Sequence, residues 1–317
     1  MENDELLKAK EKKKRLEGNR FKQQTLPAWR PVPTIVSSMI TFLVFGVIFL
    51  TFGIVLIEFT KDIVEVEYRY DNNCAVGSSC THTLNIPEDM EQPIMVYYKI
   101  DNFFQNHRRY LKSINYSQLK GQNKGVGSLG SCDPIITNKD LGRSTSYGGT
   151  PLDPDAPANP CGLIAKTLFT DTYSISDYSI DETNIAWDSD VDDTFGQPAN
   201  ASNIQWVSSI DEHFIVWMRT AGMPNFRKLW GRIRTDIPKG SIALTVNNNY
   251  DVSSFDGKKT FILSTTNAFG GKNYLLAICS LVAGSLCFIF ALANYLGSWV
   301  LKNNKAANEG NNNLHVD

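Results

Sequence analysis

The chain has 317 residues, 42% apolar and 20% charged, with 31 basic and 33 acidic side chains and a formal net charge of -2. Those averages exclude a collagen-like or wholly disordered chain and a strongly basic nucleic-acid binder. They also conceal an uneven distribution. No Asp, Glu, Lys or Arg occurs over residues 31–57 or 273–301, and two such gaps exclude a plain soluble enzyme.

The first 30 residues carry nine Lys or Arg against five acids, with six of the basic residues inside positions 8–15. A topology signal accounts for that run; attraction to anionic lipid, worth about 1 kcal/mol per residue near a surface, is the second reading. Residues 35–57 follow, 23 positions in which only Ser37, Ser38, Thr41, Gly46, Thr51 and Gly53 are not strongly apolar. At ~1.5 Å per residue they reach about 34 Å, against a hydrocarbon core of roughly 30 Å. Because 34 residues precede the stretch and no A-x-A pattern follows it before Glu58, it is read as a retained signal anchor and not as a cleaved leader. The basic excess on its N-terminal side places that side in the cytosol.

Residues 58–274 form a 217-residue segment with 20 basic and 26 acidic side chains, expected to fold outside the cytosol. Within it Val64, Val66, Tyr68 and Tyr70 alternate with charged residues, the period of a strand with one dry face. Residues 93–100 predict a second strand, and residues 102–117 predict a helix with Phe103, Phe104, His107, Tyr110, Leu111 and Ile114 on neighbouring turns. Further on, Ile242, Leu244 and Val246 alternate with small or polar residues, and residues 261–264 offer a return strand across a loop of turn formers. With a strand at each end, the segment is expected to be a mainly antiparallel β domain with short helices, closed so that its ends lie together.

Four cysteines, Cys74, Cys80, Cys132 and Cys161, lie in this segment, an even number in an oxidising compartment. They allow three pairings. Joining neighbours, Cys74 with Cys80 and Cys132 with Cys161, closes the shorter loops, of 7 and 30 residues, worth roughly 2.4 and 3.6 kcal/mol on a chain-entropy estimate. The longer loop would staple a Gly-, Pro- and Ser-rich stretch over 142–160 that has little apolar surface to order it. Two N-x-[ST] sequons, at Asn115 and Asn200, fall here and nowhere else in the chain.

Chemical motifs are few. Residues 125–130 fit G-x-G-x-x-G but neither end a strand nor open a helix, so they are read as a loop. Asp188, Asp190, Asp192 and Asp193 begin like an EF-hand loop, but Asp193 replaces the turn glycine and Ala199 the bidentate Glu, leaving a solvated acidic loop. There are four His and no H-E-x-x-H, G-x-S-x-G, Walker A or DKTGT string, so neither catalysis nor a cofactor or metal is expected.

Residues 275–296 complete a second apolar stretch, with only Ser280, Gly284, Ser285 and Asn294 outside the apolar set and with Cys279 and Cys287 as lipid-embedded thiols. Ser280 and Gly284 have small-xxx-small spacing, and Gly46 and Gly53 share a face of the first stretch. With no charge in either span, these positions point to packing on a partner rather than to transport by this chain alone. The organisation expected is a basic cytosolic tail (1–34), a transmembrane helix (35–57), a glycosylated extracellular or lumenal body (58–274), a second transmembrane helix (275–296) and a cytosolic tail (297–317).

Particular strings then carry a resemblance. FKQQTLPAWRPVPT at 21–34, NFFQNHRRYLKS at 102–113, CGLIA at 161–165, HFIVWMRTAGMPNFRKLWGRI at 213–233 and residues 248–276 are collinear with, and similar to, the cell division control protein 50 family, also called the ligand-effect modulator 3 or transmembrane protein 30 family. The likeness covers about residues 21–300. It departs at Lys166-Thr167, where members often have Asn-Ser, and at Gly222-Met223, where Ala-Leu is common. The resemblance implies a non-catalytic, chaperone-like β-subunit that forms a heterodimer with the catalytic subunit of a type IV P-type ATPase phospholipid flippase. It implies roles in that partner's folding, exit from the endoplasmic reticulum and lipid translocation, and the neighbouring disulfides weighed above. Residence in endoplasmic reticulum, Golgi, endosome or plasma membrane would follow the partner. Contact residues expected on this basis are Trp217, Arg219, Phe226 and Arg227 in the body and Trp29 and Arg30 at the first span. The competing reading makes the aromatic residues core and Trp29 an interfacial anchor. A homo-oligomeric two-span ligand-gated channel subunit is the rival function, weakened by the lack of a polar stripe in either span.

Overall fold

The computed structural model describes Phe21 and residues 34–313, with side chains described as far as residue 304. Trp29 and Arg30 lie outside the described residues. Two units are distinguished, Met1–Ile54 with Leu276–Asp317, and Val55–Leu275.

Two helices that run mostly through the first unit, Ile35–Lys61 and Leu275–Asn313, are long and apolar enough to cross a membrane. Each outruns its apolar stretch. The first continues through Glu58 to Lys61, whose side chains pair at 2.7 Å one turn apart, because the helical ladder needs no apolar side chains to extend. The small residues serve this chain itself. A Cβ at Gly46 would lie 2.8 Å from the Phe288 ring, one at Gly53 2.8 Å from Leu281, and one at Gly284 3.0 Å from the Leu50 backbone nitrogen. The expectation that these positions await a partner is therefore corrected: they let the two helices approach each other.

The second unit is built on seven strands: β1 (Glu65–Arg69), β2 (Ser78–Ile86), β3 (Ile94–Asp101), β4 (Thr172–Ile175), β5 (Phe226–Ile233), β6 (Gly240–Asn248) and β7 (Lys258–Ser264). One sheet has the order β1-β7-β3-β5 and the other β2-β6-β4, and every pairing is antiparallel. Strand β3 alternates buried and half-buried residues, whereas β7, flanked by β1 and β3, is buried from Lys259 to Ser264. A single core draws Leu84 and Ile86 from β2, Val96 and Ile100 from β3, Leu244 and Val246 from β6, and Phe261 and Leu263 from β7. The first and last strands pair, Glu65 opposite Ser264 and Arg69 opposite Thr260. Beyond them the Thr265 amide donates to the Val64 carbonyl (3.0 Å) and the Asn267 amide side chain to the Phe59 carbonyl (2.6 Å), so the ends of the body lie side by side.

Three expectations fail locally. Strands β6 and β7 do not form a hairpin but enter different sheets. The helix expected over 102–117 is two short ones, Arg108–Lys112 and Tyr116–Leu119. It breaks at Ser113, which is buried; its hydroxyl donates to the Cys132 carbonyl (2.8 Å) and accepts from the Leu163 amide (2.8 Å). Gly162 is required beside this break, since its φ is +102° and a Cβ there would lie 2.1 Å from the Ser113 carbonyl oxygen. Likewise the acidic run expected as a loop is a short helix, Asp188–Asp193, with two acids in its first turn.

Cys74 is joined to Cys80, and Cys132 to Cys161. The second bridge sits in a satellite core of Leu129, Ile135, Leu141 and Ala158, so the stapled stretch does bury some apolar surface. The sheets meet at a buried ion pair. The Lys259 ammonium on β7 donates to Asp171 (2.7 Å), to the Asn248 side chain on β6 and to the Tyr250 carbonyl. The Asp171 carboxylate also accepts from the Asn249 and Tyr250 amides (both 2.6 Å) and from the Tyr70 hydroxyl (2.6 Å). Removing one partner of such a pair strands a buried charge, at about 3–5 kcal/mol. Accordingly Asp171→Ala should destabilise the body by that order in detergent-solubilised protein followed by near-ultraviolet circular dichroism. Asp171→Asn with Lys259→Met should recover part of the loss, because the Asn oxygen still accepts both amides.

Candidate functional site

The helix Glu212–Met218 organises the most chemically varied surface of the body. Asp211 caps it by accepting from the Phe214 amide at 3.0 Å. The next residue, Glu212, accepts three backbone amides from an adjoining loop, Asn184 (2.8 Å), Ile185 (2.6 Å) and Ala186 (2.9 Å). Burial alone would raise its pKa, but these three donors outweigh burial and hold the carboxyl below its usual range. Thus fixed, the loop presents Trp187, which is 65% exposed. Arg219, just past the helix, pairs with Asp190 and lays its guanidinium 4.8 Å from the centre of the Trp187 ring. On β5 Arg227 pairs with Glu65 at 2.8 Å and stands 5.0 Å from the Tyr97 ring. Trp187, Asp190, Arg219, Arg227 and Tyr97 all line one open cavity of about 460 Å³.

Beneath it Lys228 is buried. Its ammonium donates to the carbonyls of Val216 (2.8 Å), Trp217 (3.1 Å) and Arg219 at the C-terminal end of the helix, where unpaired carbonyls favour a cation. Burial, with Arg219 adding to it, nonetheless lowers its pKa from 10.5 to about 7. The unfolded chain therefore binds the extra proton between about 7 and 10.5, and this group's contribution to stability rises with pH across that window. Lys228→Met should flatten the dependence of unfolding free energy on pH over the same interval, measured by denaturant titration.

The four body residues expected at a partner contact are placed differently by the fold. Arg219 and Arg227 share the cavity, 219 exposed and 227 half-buried. Trp217 is corrected to the competing reading: it is fully buried, with its indole N–H donating to the Ile164 carbonyl at 2.8 Å, and Phe226 is only 9% exposed. Both are held in an aromatic group with Phe103, so they shape the surface from below and offer a partner no face of their own. Trp187, Asp190 and Lys228 were not expected as part of it. The alternation of Phe226, Lys228 and Trp230 along a strand marks Lys228 as inward-facing; nothing in the sequence marks Trp187 beyond the acidic run beside it.

Of the two sequon residues, Asn200 is exposed. Asn115 is half-buried and caps a short helix by accepting from the Gln118 amide at 3.0 Å. Among the described residues the one His, Cys, Asp and Glu group close enough to share a metal is Cys74, Cys80 and His82. Its two sulfurs are bonded to each other and offer no thiolate.

Two membrane-spanning helices flanking, in sequence, a disulfide-braced antiparallel β body define an integral membrane protein whose bulk lies between its spans. The model of the LEM3 (ligand-effect modulator 3) family / CDC50 family matches residues 56–305, and the chain belongs to that family. It is 38% identical over 318 residues to ALA-interacting subunit 3 of Arabidopsis thaliana, covering 90% of this chain and 86% of that protein. It is 32% identical over 336 residues to cell cycle control protein 50A of Mus musculus (89% and 88% covered) and 30% identical over 327 residues to cell cycle control protein 50B of Homo sapiens (85% and 89%).

Proposed function

We propose that this chain is the non-catalytic subunit of a type IV P-type ATPase phospholipid flippase, forming a heterodimer with the catalytic chain and supporting its folding, export from the endoplasmic reticulum and activity. The observation that carries the reading is family membership together with 38% identity to a protein whose name records interaction with ALA as a subunit. In this reading the body faces the lumen or the cell exterior, the basic tail faces the cytosol, and the organelle of residence follows the partner. The exposed Trp187 and Arg219, with Arg227 beside them, form the contact. A large aromatic ring and guanidinium groups around an open cavity are the residue types that dominate association energies, at ~2–4 kcal/mol for a central anchor. The contact helps only by binding some conformations of the pump better than others.

Affinity purification from native membranes should bring down a P-type ATPase; a preparation with no such ATPase contradicts the functional reading. Trp187→Ala with Arg219→Glu should reduce recovery of the ATPase at least tenfold. Stability of the body should change little, since an exposed ring and a surface ion pair contribute about 1 kcal/mol or less to folding. Unchanged recovery and pump turnover would remove this cavity from the interface.

A further inference from the structure

A second cavity, of about 360 Å³, lies away from the Trp187 surface, between the stapled stretch and the helix Ala201–Ile204. Its walls are rich in carboxamides: Asn123, Asn138, Asn159 and Asn203 line it together with the sequon residue Asn200 itself. Its floor is apolar, from Pro151, Leu152, Pro157 and Ile204. Each carboxamide offers both a donor and an acceptor, the pairing a hydroxyl needs. An apolar floor below a few convergent polar groups is the usual make-up of a small-ligand site, and the volume is at the small end of the ~300–1,000 Å³ typical of such sites.

Hydroxyl and acetamido groups pair with such carboxamides in either sense, as donor or as acceptor. The sugar that N-glycosylation attaches to Nδ2 of Asn200 carries both, along with an apolar ring face for the floor. Because Asn200 is part of the wall, that sugar is held at the cavity by a covalent tether, and the effective concentration is of millimolar order or above.

We infer that this cavity seats the first N-acetylglucosamine of the chain's own glycan at Asn200, against the side chains of Asn123, Asn159 and Asn203. The inference rests on the lumenal placement of the body in the functional reading. A seated sugar is shielded from enzymes and stiffens the stapled stretch, whereas Asn115, although half-buried itself, lines none of this cavity and offers its glycan no such seat.

The full chain, produced with its partner in a eukaryotic host, is treated with an N-glycosidase in the folded state and again after denaturation, and release at each sequon is followed by peptide mass spectrometry. Release at Asn200 should be at least tenfold slower than at Asn115 in the folded protein and equal after denaturation. Ala156→Phe and, separately, Asn203→Trp fill the cavity while leaving the sequon intact, and each should raise folded-state release at Asn200 to the Asn115 rate; two variants guard against one that fails to fold. Equal release at the two sites in the folded wild type overturns the inference, as does slow release that neither folded variant changes. Free N-acetylglucosamine binding to the glycosylated wild type in saturation-transfer NMR, with loss in the filled variants, overturns occupancy by the tethered sugar. No glycan on Asn200, with or without one on Asn115, overturns the inference alone, whereas protease cleavage of the body from the cytosolic face overturns the lumenal placement with it.

Discussion

The body holds together around one buried charge pair. Lys259 and Asp171 are 88 residues apart and almost wholly inaccessible, yet neither is left short of partners: the ammonium has three acceptors, and the carboxylate four donors. Burying a charge is costly unless it is paired and hydrogen-bonded in this way. The pair belongs to both sheets, because Lys259 is on β7, Asp171 just precedes β4, and Asn248 ends β6. It also reaches the small disulfide loop, since the Asn248 side chain donates to the Cys74 carbonyl at 2.7 Å. Two sheets with a shared apolar core have freedom to slide, and a single geometry that satisfies six polar contacts removes it.

That fixed frame determines what the surface can present. Strand β5, one of the two outer strands of the larger sheet, carries Arg227 and Lys228 on opposite faces. Lys228 reaches inward to the end of the helix Glu212–Met218, and Glu212 at the start of the same helix holds the loop that displays Trp187. An exposed tryptophan is thereby tied through a short helix to the core, and its position is set before any partner arrives. The pairing of β1 with β7 does similar work at the ends of the body, where the segments that lead to the two long helices are held side by side.

Much of this architecture is legible in the chain. Charge-free stretches identify both spans, period-two alternation identifies β1 and β6, and residues 93–100 and 261–264 read as the strands β3 and β7. Periodicity reports which face of a strand is dry but not which strand lies next to it, so the placement of β6 and β7 in different sheets is hidden. The break at Ser113 is hidden too, because it is imposed by Cys132, Leu163 and Gly162 from distant parts of the chain. Trp217 was expected at the contact together with Arg219 and Arg227, but its size and apolarity place it at the centre of the core. The Lys259–Asp171 pair has no local signature at all. Arg219 and Arg227 were accessible to sequence reasoning through the collinear strings, whereas Trp187 required the fold.

The central claim is that a folded body between two spans stands on the side of the membrane opposite the basic tail, where it meets its partner. Limited proteolysis of sealed native vesicles of known orientation tests this most directly, with antibodies against the first 30 residues and against the segment between the spans. Protease on the lumenal or extracellular face should cut the body and spare the tail, and protease on the cytosolic face should remove the tail and spare the body. Cleavage of the body from the cytosolic face of intact vesicles would contradict the account.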